Sequence, residues 1–359
     1  MIIGIDASKA AETKRTGVEN FAYEVIRNLK LIDRKNTYFL YTNKHLPIEL
    51  TSENFIEKYL PIPKLWNKIG LPLALIKDRP DKYFQPVYMI PNFAPKSIGV
   101  FHDLAWHYFP DAYSKKELFS QKKALKNLKD RAKKIICVSN SAKNDLLGIY
   151  PDLRDKTIII YPSGNDHFKK EVDFNDFLDL KAPFFLSVGR LEERKNTLTL
   201  IKAFIAAKQQ AKLPHKLVLV GTQGYGYSKI AHFLDQHPES SSDIIITGYI
   251  NGEELNHLMS ATDAYVSPTL YEGFGIAVQD AMKAGAPVIV SNCSALPESV
   301  GGAGIMIDPN DIAGISAAMI ELAQKPELRR EKSEESLQVS SSFTWEKTAK
   351  QILTALEEL

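Results

Sequence analysis

The chain has 359 residues, 44% of them apolar and 25% charged, with a formal net charge of +2. These values suit a globular chain of about two ordinary domains and exclude a disordered or collagen-like one. No apolar run approaches the roughly 18 residues that span a bilayer, and two cysteines, Cys137 and Cys293, are too few for a disulfide framework and read as free thiols of a reducing compartment.

The small net charge hides an asymmetry. Residues 1–170 hold 29 Lys and Arg against 18 Asp and Glu, or +11, whereas residues 171–359 hold 16 against 25, or −9. A basic half joined to an acidic half implies that the first half meets something anionic. The opening Met1-Ile2-Ile3-Gly4-Ile5-Asp6 lacks the basic stretch and cleavage site of a signal peptide and reads directly as a strand, and a cytoplasmic location is expected. Residues 8–16 form a polar loop before Gly17, and residues 18–31 carry Val18, Phe21, Ala22, Val25, Ile26 and Leu29 at helical spacing. Strand, glycine-bearing loop and helix open a nucleotide-binding α/β unit, but no G-x-G-x-x-G follows, which argues against a dinucleotide. Residues 37–42 alternate as a second strand. Residues 61–77, with Leu65, Trp66, Ile69 and Leu71, read as a packed helix, an exposed apolar edge for a lipid acceptor being the alternative. Residues 82–84 and 98–101 are further strands, and His102-Asp103 falls at the C-terminal end of the latter, where ligands sit in open α/β sheets.

Residues 114–134 form a helix with an apolar stripe through Leu118, Leu125 and Leu128 and a face of Lys115, Lys116, Lys122, Lys123, Lys126, Lys129 and Arg131. That face is either solvated or an electrostatic contact with anionic lipid or a pyrophosphate acceptor. The aromatic interleaving of a nucleic-acid surface is absent. Residues 135–139 are a buried-type strand, Asn140-Ser141 can cap the helix at 142–150, and residues 157–161 are a strand. A turn at 162–166 leads into a charged linker reaching to about residue 180. Strands and helices then alternate from Phe184 to Leu322, which means a parallel sheet with covering helices. Residues 328–339 are a late helix, and residues 344–359 a last amphipathic one.

The chemistry concentrates in Tyr271-Glu272-Gly273-Phe274-Gly275-Ile276, a loop turning into a helix that Gly285 ends. A helix starting after a glycine turn presents unpaired N–H groups and a positive dipole end, which suits a phosphate. Glu272 precedes that helix, and Asp280 lies eight residues later, about two turns along. Val188-Gly189-Arg190-Leu191 followed by Lys195 puts two cations at a strand's end, able to hold a diphosphate or simply to face solvent.

The run from Glu272 through Gly285 resembles the Glu-x7-Glu signature of the retaining glycosyltransferases of family four (glycosyl transferases group 1), with Asp280 in place of the second Glu. Arg15-Thr16-Gly17-Val18-Glu19, His102-Asp103, residues 160–168, Thr247-Gly248-Tyr249, Leu296-Pro297-Glu298 and Ala303-Gly304 resemble further segments of that family, along nearly the whole chain. The resemblance implies a GT-B fold of two Rossmann-like domains facing across a cleft, an acceptor domain at 1–170, a nucleotide-sugar domain at 171–343, and a helix at 344–359 crossing back to the first. It implies transfer of a sugar, with retention, from a nucleotide diphosphate sugar to a glycan or lipid-linked acceptor. Arg190 and Lys195 would neutralise the leaving diphosphate without a metal; the chain also has no Asp-x-Asp. Glu272 would contact the sugar, Asp280 the ribose, Gly17 and Gly273 to Ile276 the phosphates, and Thr247, Gly248 and Tyr249 the base. His102 would position the sugar or take part in proton movement, or serve only a structural hydrogen bond. The look of Ile5-Asp6-Ala7-Ser8 and Arg15-Thr16-Gly17 is similar to bacterial mannosyltransferases of surface polysaccharide assembly, which makes GDP-mannose the first donor expected and a UDP-sugar the second. No separate cofactor, no metal and no nucleic acid are expected, and peripheral contact with the inner face of the membrane is the further partner. A nucleotide-sugar 2-epimerase, a sugar phosphorylase and a non-catalytic nucleotide-sugar sensor are the alternatives.

Overall fold

In a computed structural model the described residues are 1–13, 15, 17–62, 65–87, 89–171, 180 and 182–359. Thr16 of the first glycine loop, Pro63 and Lys64 of the 61–77 connection, and residues 172–179 of the expected linker lie outside them. The chain divides into two compact units, Met1–Pro162 with Thr344–Leu359, and Ser163–Phe343.

The first unit is built on seven strands: β1 (Ile2–Asp6), β2 (Thr37–Thr42), β3 (Phe55–Tyr59), β4 (Lys82–Gln85), β5 (Lys96–Phe101), β6 (Lys134–Cys137) and β7 (Thr157–Ile159). They lie in the order β3-β2-β1-β4-β5-β6-β7, and every pairing is parallel. The second unit repeats the scheme with β8 (Phe184–Val188), β9 (Lys216–Val220), β10 (Ile244–Gly248), β11 (Ala264–Ser267), β12 (Val288–Ser291) and β13 (Ile305–Ile307), ordered β10-β9-β8-β11-β12-β13. Both orders run outward in one direction and then reverse beside the first strand, which is the doubly wound Rossmann arrangement. The strands are apolar on both faces because helices cover both. Phe185, Leu217, Leu219, Ala264, Val266 and Ile289 pack with helices Thr197–Ala211 and Ile312–Gln324 on one side. Their neighbours in sequence, Phe184, Leu186, Val218, Tyr265 and Val288, pack with helix Ile276–Lys283 on the other.

Strand β3 was not evident in the sequence. It is an edge strand carrying Glu57 and Lys58, and charge on an edge blunts the apolar alternation that marks a strand. Helix Asn140–Ile149 is capped by Ser139, not by the expected Asn140 or Ser141; the Ser139 backbone is extended and its hydroxyl accepts from the Ala142 N–H. Between Trp66 and Asp78 the chain is helical with two apolar faces. Trp66, Leu71 and Leu75 pack against Tyr41 and Tyr83, whereas Leu65, Ile69, Leu73 and Ile76 are 45–59% exposed. The packed helix and the exposed apolar edge are thus two sides of one segment.

The first unit ends at Pro162 rather than 170 because the next residues seat on the second unit. Gly164 lies against helix Ile276–Lys283 so closely that a Cβ there would meet the Gln279 carbonyl carbon at 2.8 Å. Lys283 Nζ donates to the Gly164 carbonyl at 2.8 Å.

The last helix, Trp345–Glu357, starts from a Thr344 cap and belongs to the first unit. Its Trp345 is fully buried and meets the Phe21 ring edge-on at 5.8 Å. Trp345→Ala opens a large cavity there and is expected to destabilise the first unit by about 3–5 kcal/mol, with Trp345→Phe losing less; thermal unfolding followed by circular dichroism reads both.

Candidate active site

In an open parallel sheet, ligands bind beyond the carboxyl ends of the strands where the order reverses. In the second unit that point lies between β8 and β11, which are direct neighbours. The chain leaving β8 runs through 189–196 into helix Thr197–Ala211, and the chain leaving β11 runs through 268–275 into helix Ile276–Lys283. Hydrogen bonds to main-chain carbonyls fasten the two connections together. The Arg194 carbonyl accepts from the Leu270 N–H at 2.9 Å and from Thr269 Oγ1 at 3.0 Å, and Asn196 Nδ2 donates to the Pro268 carbonyl at 3.0 Å.

That fastening concentrates charge. Lys195 Nζ donates to Glu272 Oε1, and Arg194 Nη1 donates to Glu272 Oε2 at 3.3 Å and to the Tyr271 carbonyl at 3.0 Å. Arg194 Nε and Nη2 donate to Glu192 Oε1 at 3.2 and 2.9 Å, and Arg190 Nε stands 3.7 Å from Glu192 Oε2. The result is an alternating run: Arg190, Glu192, Arg194, Glu272, Lys195. The Glu272 side chain is 15% exposed. Burial pushes its carboxyl up, but Lys195 and Arg194 more than offset this and hold it below the ordinary carboxylate value. Arg190, by contrast, is largely exposed at the run's outer end.

Helix Ile276–Lys283 begins beside this cluster. Its cap is Gly275 at φ 96°, with no side-chain cap, so the first-turn N–H groups and the positive dipole end stay directed outward. The positive φ at Gly275 favours glycine, and a Cβ there would also press on Leu296 Cδ2 at 2.6 Å. The Glu272 N–H donates to Ser294 Oγ at 2.9 Å, and Ser294 itself sits at φ 50°. About one turn into the helix, Asp280 is buried and its Oδ1 accepts from the Asn165 N–H at 2.6 Å and from Asn165 Nδ2 at 3.1 Å.

The structure therefore brings Arg190, Lys195, Glu272, Gly273, Phe274, Gly275, Ile276 and Asp280 to one end of one sheet. Thr247 and Gly248 end the outer strand β10 and Tyr249 follows it, at the same end of the sheet. They reach the switch point through glycines: Gly221 N–H donates to the Gly248 carbonyl at 2.8 Å, and Gly189 N–H to the Val220 carbonyl at 2.9 Å. Gly17 and His102 belong to the first unit. Gly17 starts helix Gly17–Ile32, whose Phe21 ring meets the His102 ring edge-on at 5.1 Å. His102 Nε2 lies 2.8 Å from the Pro86 carbonyl, which fixes the proton on Nε2 and leaves Nδ1 as the acceptor nitrogen. Burial lowers its pKa, against smaller upward pulls from that bond, Asp103 and Glu19. Among the described residues no group of three His, Cys, Asp or Glu side chains could hold a metal ion, and no helix is long and apolar enough to cross a membrane. Arg194, Glu192, Ser294 and Asn165 escaped the sequence reading. The dense charged run from Arg190 to Lys195 was the signal that could have found the first two.

The sequence profile of the glycosyl transferases group 1 matches residues 168–339. O-antigen chain mannosyltransferase B of Escherichia coli is 28% identical over 283 residues, covering 77% of this chain and 74% of that protein. The serotype-specific mannosyltransferase WbdA of Escherichia coli is 27% identical over 228 residues, 61% of this chain but only 28% of WbdA, so the chain spans under a third of that relative. The sucrose-phosphate synthase of Thermosynechococcus elongatus superposes with a TM-score of 0.78 over 99% of this chain and 98% of that one, at 20% identity. Anabaena HepE in complex with UDP-glucose superposes with a TM-score of 0.76 over 100% and 99%, at 17% identity. Both likenesses are of fold, and the fold is GT-B. That profile lies over the unit that holds the Glu272 cluster, and with the mannosyltransferase relatives it marks the chain as a glycosyltransferase similar to the glycosyl transferases group 1.

Proposed function

We propose that this glycosyltransferase moves mannose from GDP-mannose, or failing that a sugar from a UDP-sugar, to a hydroxyl of a glycan or lipid-linked acceptor, with retention and without a metal. The observation that carries the reading is the ionised Glu272 held between Lys195 and Arg194 at an uncapped helix start. The mannosyltransferase names of the relatives support the choice of sugar.

Cleavage of a glycosyl–phosphate bond passes through an oxocarbenium-like state, so the sugar gains positive charge while the diphosphate gains negative charge. Arg190, Lys195 and the N–H groups at Ile276 would meet the diphosphate, a preorganised electrostatic effect that a divalent ion supplies elsewhere. Glu272 would hold sugar hydroxyls beside the anomeric carbon, and Asp280, anchored by Asn165, would face the ribose. Tyr249, 60% exposed after β10, would meet the base. The first unit would bring the acceptor. There His102 is kept neutral, with Nδ1 able to accept from a hydroxyl. The departing phosphate oxygen would take the acceptor's proton on the face it leaves, which preserves the anomeric configuration.

The acceptor's setting is read from helix Lys115–Arg131. Its first two turns are exposed, carrying Lys115, Lys116, Lys122 and Lys123 around an exposed Phe119. Such a surface suits peripheral contact with anionic lipid, each basic residue adding about 1 kcal/mol. Sedimentation should show the protein on vesicles of anionic lipid and not on neutral ones, and a variant with these four lysines changed to Gln should stay in solution.

Glu272→Ala and Lys195→Ala should each lower sugar transfer by about 10²–10³-fold with the fold intact by circular dichroism, and wild-type transfer should be unchanged in EDTA. Near-normal transfer in both variants would sink the assignment. Transfer that dies in EDTA and returns with Mg²⁺ or Mn²⁺ would sink metal independence. Thermal shift against GDP, UDP and their sugars names the donor, since a ligand that binds the folded state raises its melting point by mass action. Conversion of donor without acceptor to a new nucleotide sugar would favour the 2-epimerase instead.

A further inference from the structure

Among the charges at the end of β8 and β11, Arg190 and Lys195 are the residues placed to meet an anion. Arg194 is placed differently. Its side chain is 19% exposed and turned along the protein, not outward. The guanidinium fork is spread over three acceptors of the protein itself, Glu192 Oε1, the Tyr271 carbonyl and Glu272 Oε2. Its own carbonyl accepts the Leu270 N–H and the Thr269 hydroxyl. One residue thus bolts the connection after β8 to the connection after β11 through both main chain and side chain.

Glu272 has a cation on each oxygen, and the two are not equivalent. Lys195 ends in a compact ammonium on a flexible stem, and it is the cation expected to move to a diphosphate. If it were Glu272's only partner, ligand binding would leave a buried carboxylate uncompensated, and such a group protonates or shifts. Arg194 cannot follow Lys195, because Glu192 and the Tyr271 carbonyl hold the rest of its fork. We infer that Arg194 is the positioning residue of this site: it fixes Glu272 in place and supplies it with a cation of its own, freeing Lys195 for the phosphates. Glu192 is the counterpart that orients Arg194. This assignment rests on the transferase reading for its role in turnover, but its effect on Glu272 does not.

The test reads both. Protein labelled with 13C in its Glu carboxyls is titrated by NMR, the Glu272 signal being the one lost in Glu272→Gln. The charged and titratable groups that face Glu272 are Lys195 and Arg194 from the first connection, with Glu192 behind Arg194, and the neutral Tyr265 from β11. None but Arg194 is altered. Arg194→Gln should move the Glu272 titration upward, because the ionised form loses a bonded cation. Arg194→Lys should leave it close to the wild-type position. In turnover, Arg194→Gln should lower kcat by about tenfold or more with little change in donor KM, and its acid limb should rise with the Glu272 titration. Arg194→Lys should recover the pH profile but only part of kcat, since an ammonium cannot span Glu192, Tyr271 and Glu272 at once. An unchanged Glu272 titration in Arg194→Gln overturns the inference while leaving the transferase reading standing, and so does wild-type kcat in Arg194→Lys should the Gln variant not fold. A shifted titration in a protein that transfers no sugar from any donor upholds the inference and removes the transferase reading.

Discussion

A carboxylate removed from water must find compensating charge, and in this protein that requirement falls on Glu272. Two cations meet its oxygens, and both come from the eight residues that leave the neighbouring strand. The bonds to main-chain carbonyls between residues 194–196 and 268–270 follow from the same demand, since the side chains can meet only if the two connections are fastened. The glycines at 189 and 275 serve it too, one letting the chain turn off β8 beside Lys195 and the other opening the helix start.

The first unit has the same strand reversal and solves it with different chemistry. Asp6 ends β1 where the order turns, and it is buried among hydrogen-bond donors instead of bonded cations. Ser8 N–H and Oγ donate to its Oδ1 at 3.0 and 2.6 Å, and Gln85 Nε2 reaches across from β4 to Oδ2 at 2.9 Å. Burial raises its pKa, where Glu272 is lowered. Neutral donors hold a carboxyl in place without the strong field that paired cations create. The second sheet therefore carries paired cations at its switch point, while the first carries neutral donors there and a His102 whose pKa burial lowers. That division fits a family whose profile lies over the second unit.

The charge asymmetry of the two halves has a matching structural expression. The excess of basic residues in the first half gathers on helix Lys115–Arg131, where only Leu125 and Leu128 are buried. The helix is fixed at its start by a Ser114–Glu117 capping box and along its length by the two buried leucines and by bonds from Asn127 and Arg131. Its first two turns are open, while Asn127, Lys129 and Arg131 near its end bond within the protein.

Periodicity and punctuation are local properties, so the alternation of strands and helices was legible from the residues alone. The helices at Gly252–Ala261 and Ile276–Lys283 could be bounded to the residue, because a glycine or a glycine turn marks their starts. The Glu272 loop and the Arg190–Lys195 pair were legible for the same reason: each is a short run with an unusual composition. Three things were not. Strand β3 forms because β2 lies beside it, not because Phe55–Tyr59 alternates well. Which apolar face of residues 66–78 is covered depends on Tyr41 and Tyr83 from other strands. Above all, Arg194 reads as one more charge in a polar loop until β8 and β11 are known to be neighbours, for its partner is 78 positions away. Asp280 and Asn165, 115 positions apart, pose the same problem. A chain writes its local conformations into adjacent residues, but charge compensation is settled by whatever folding brings within bonding distance.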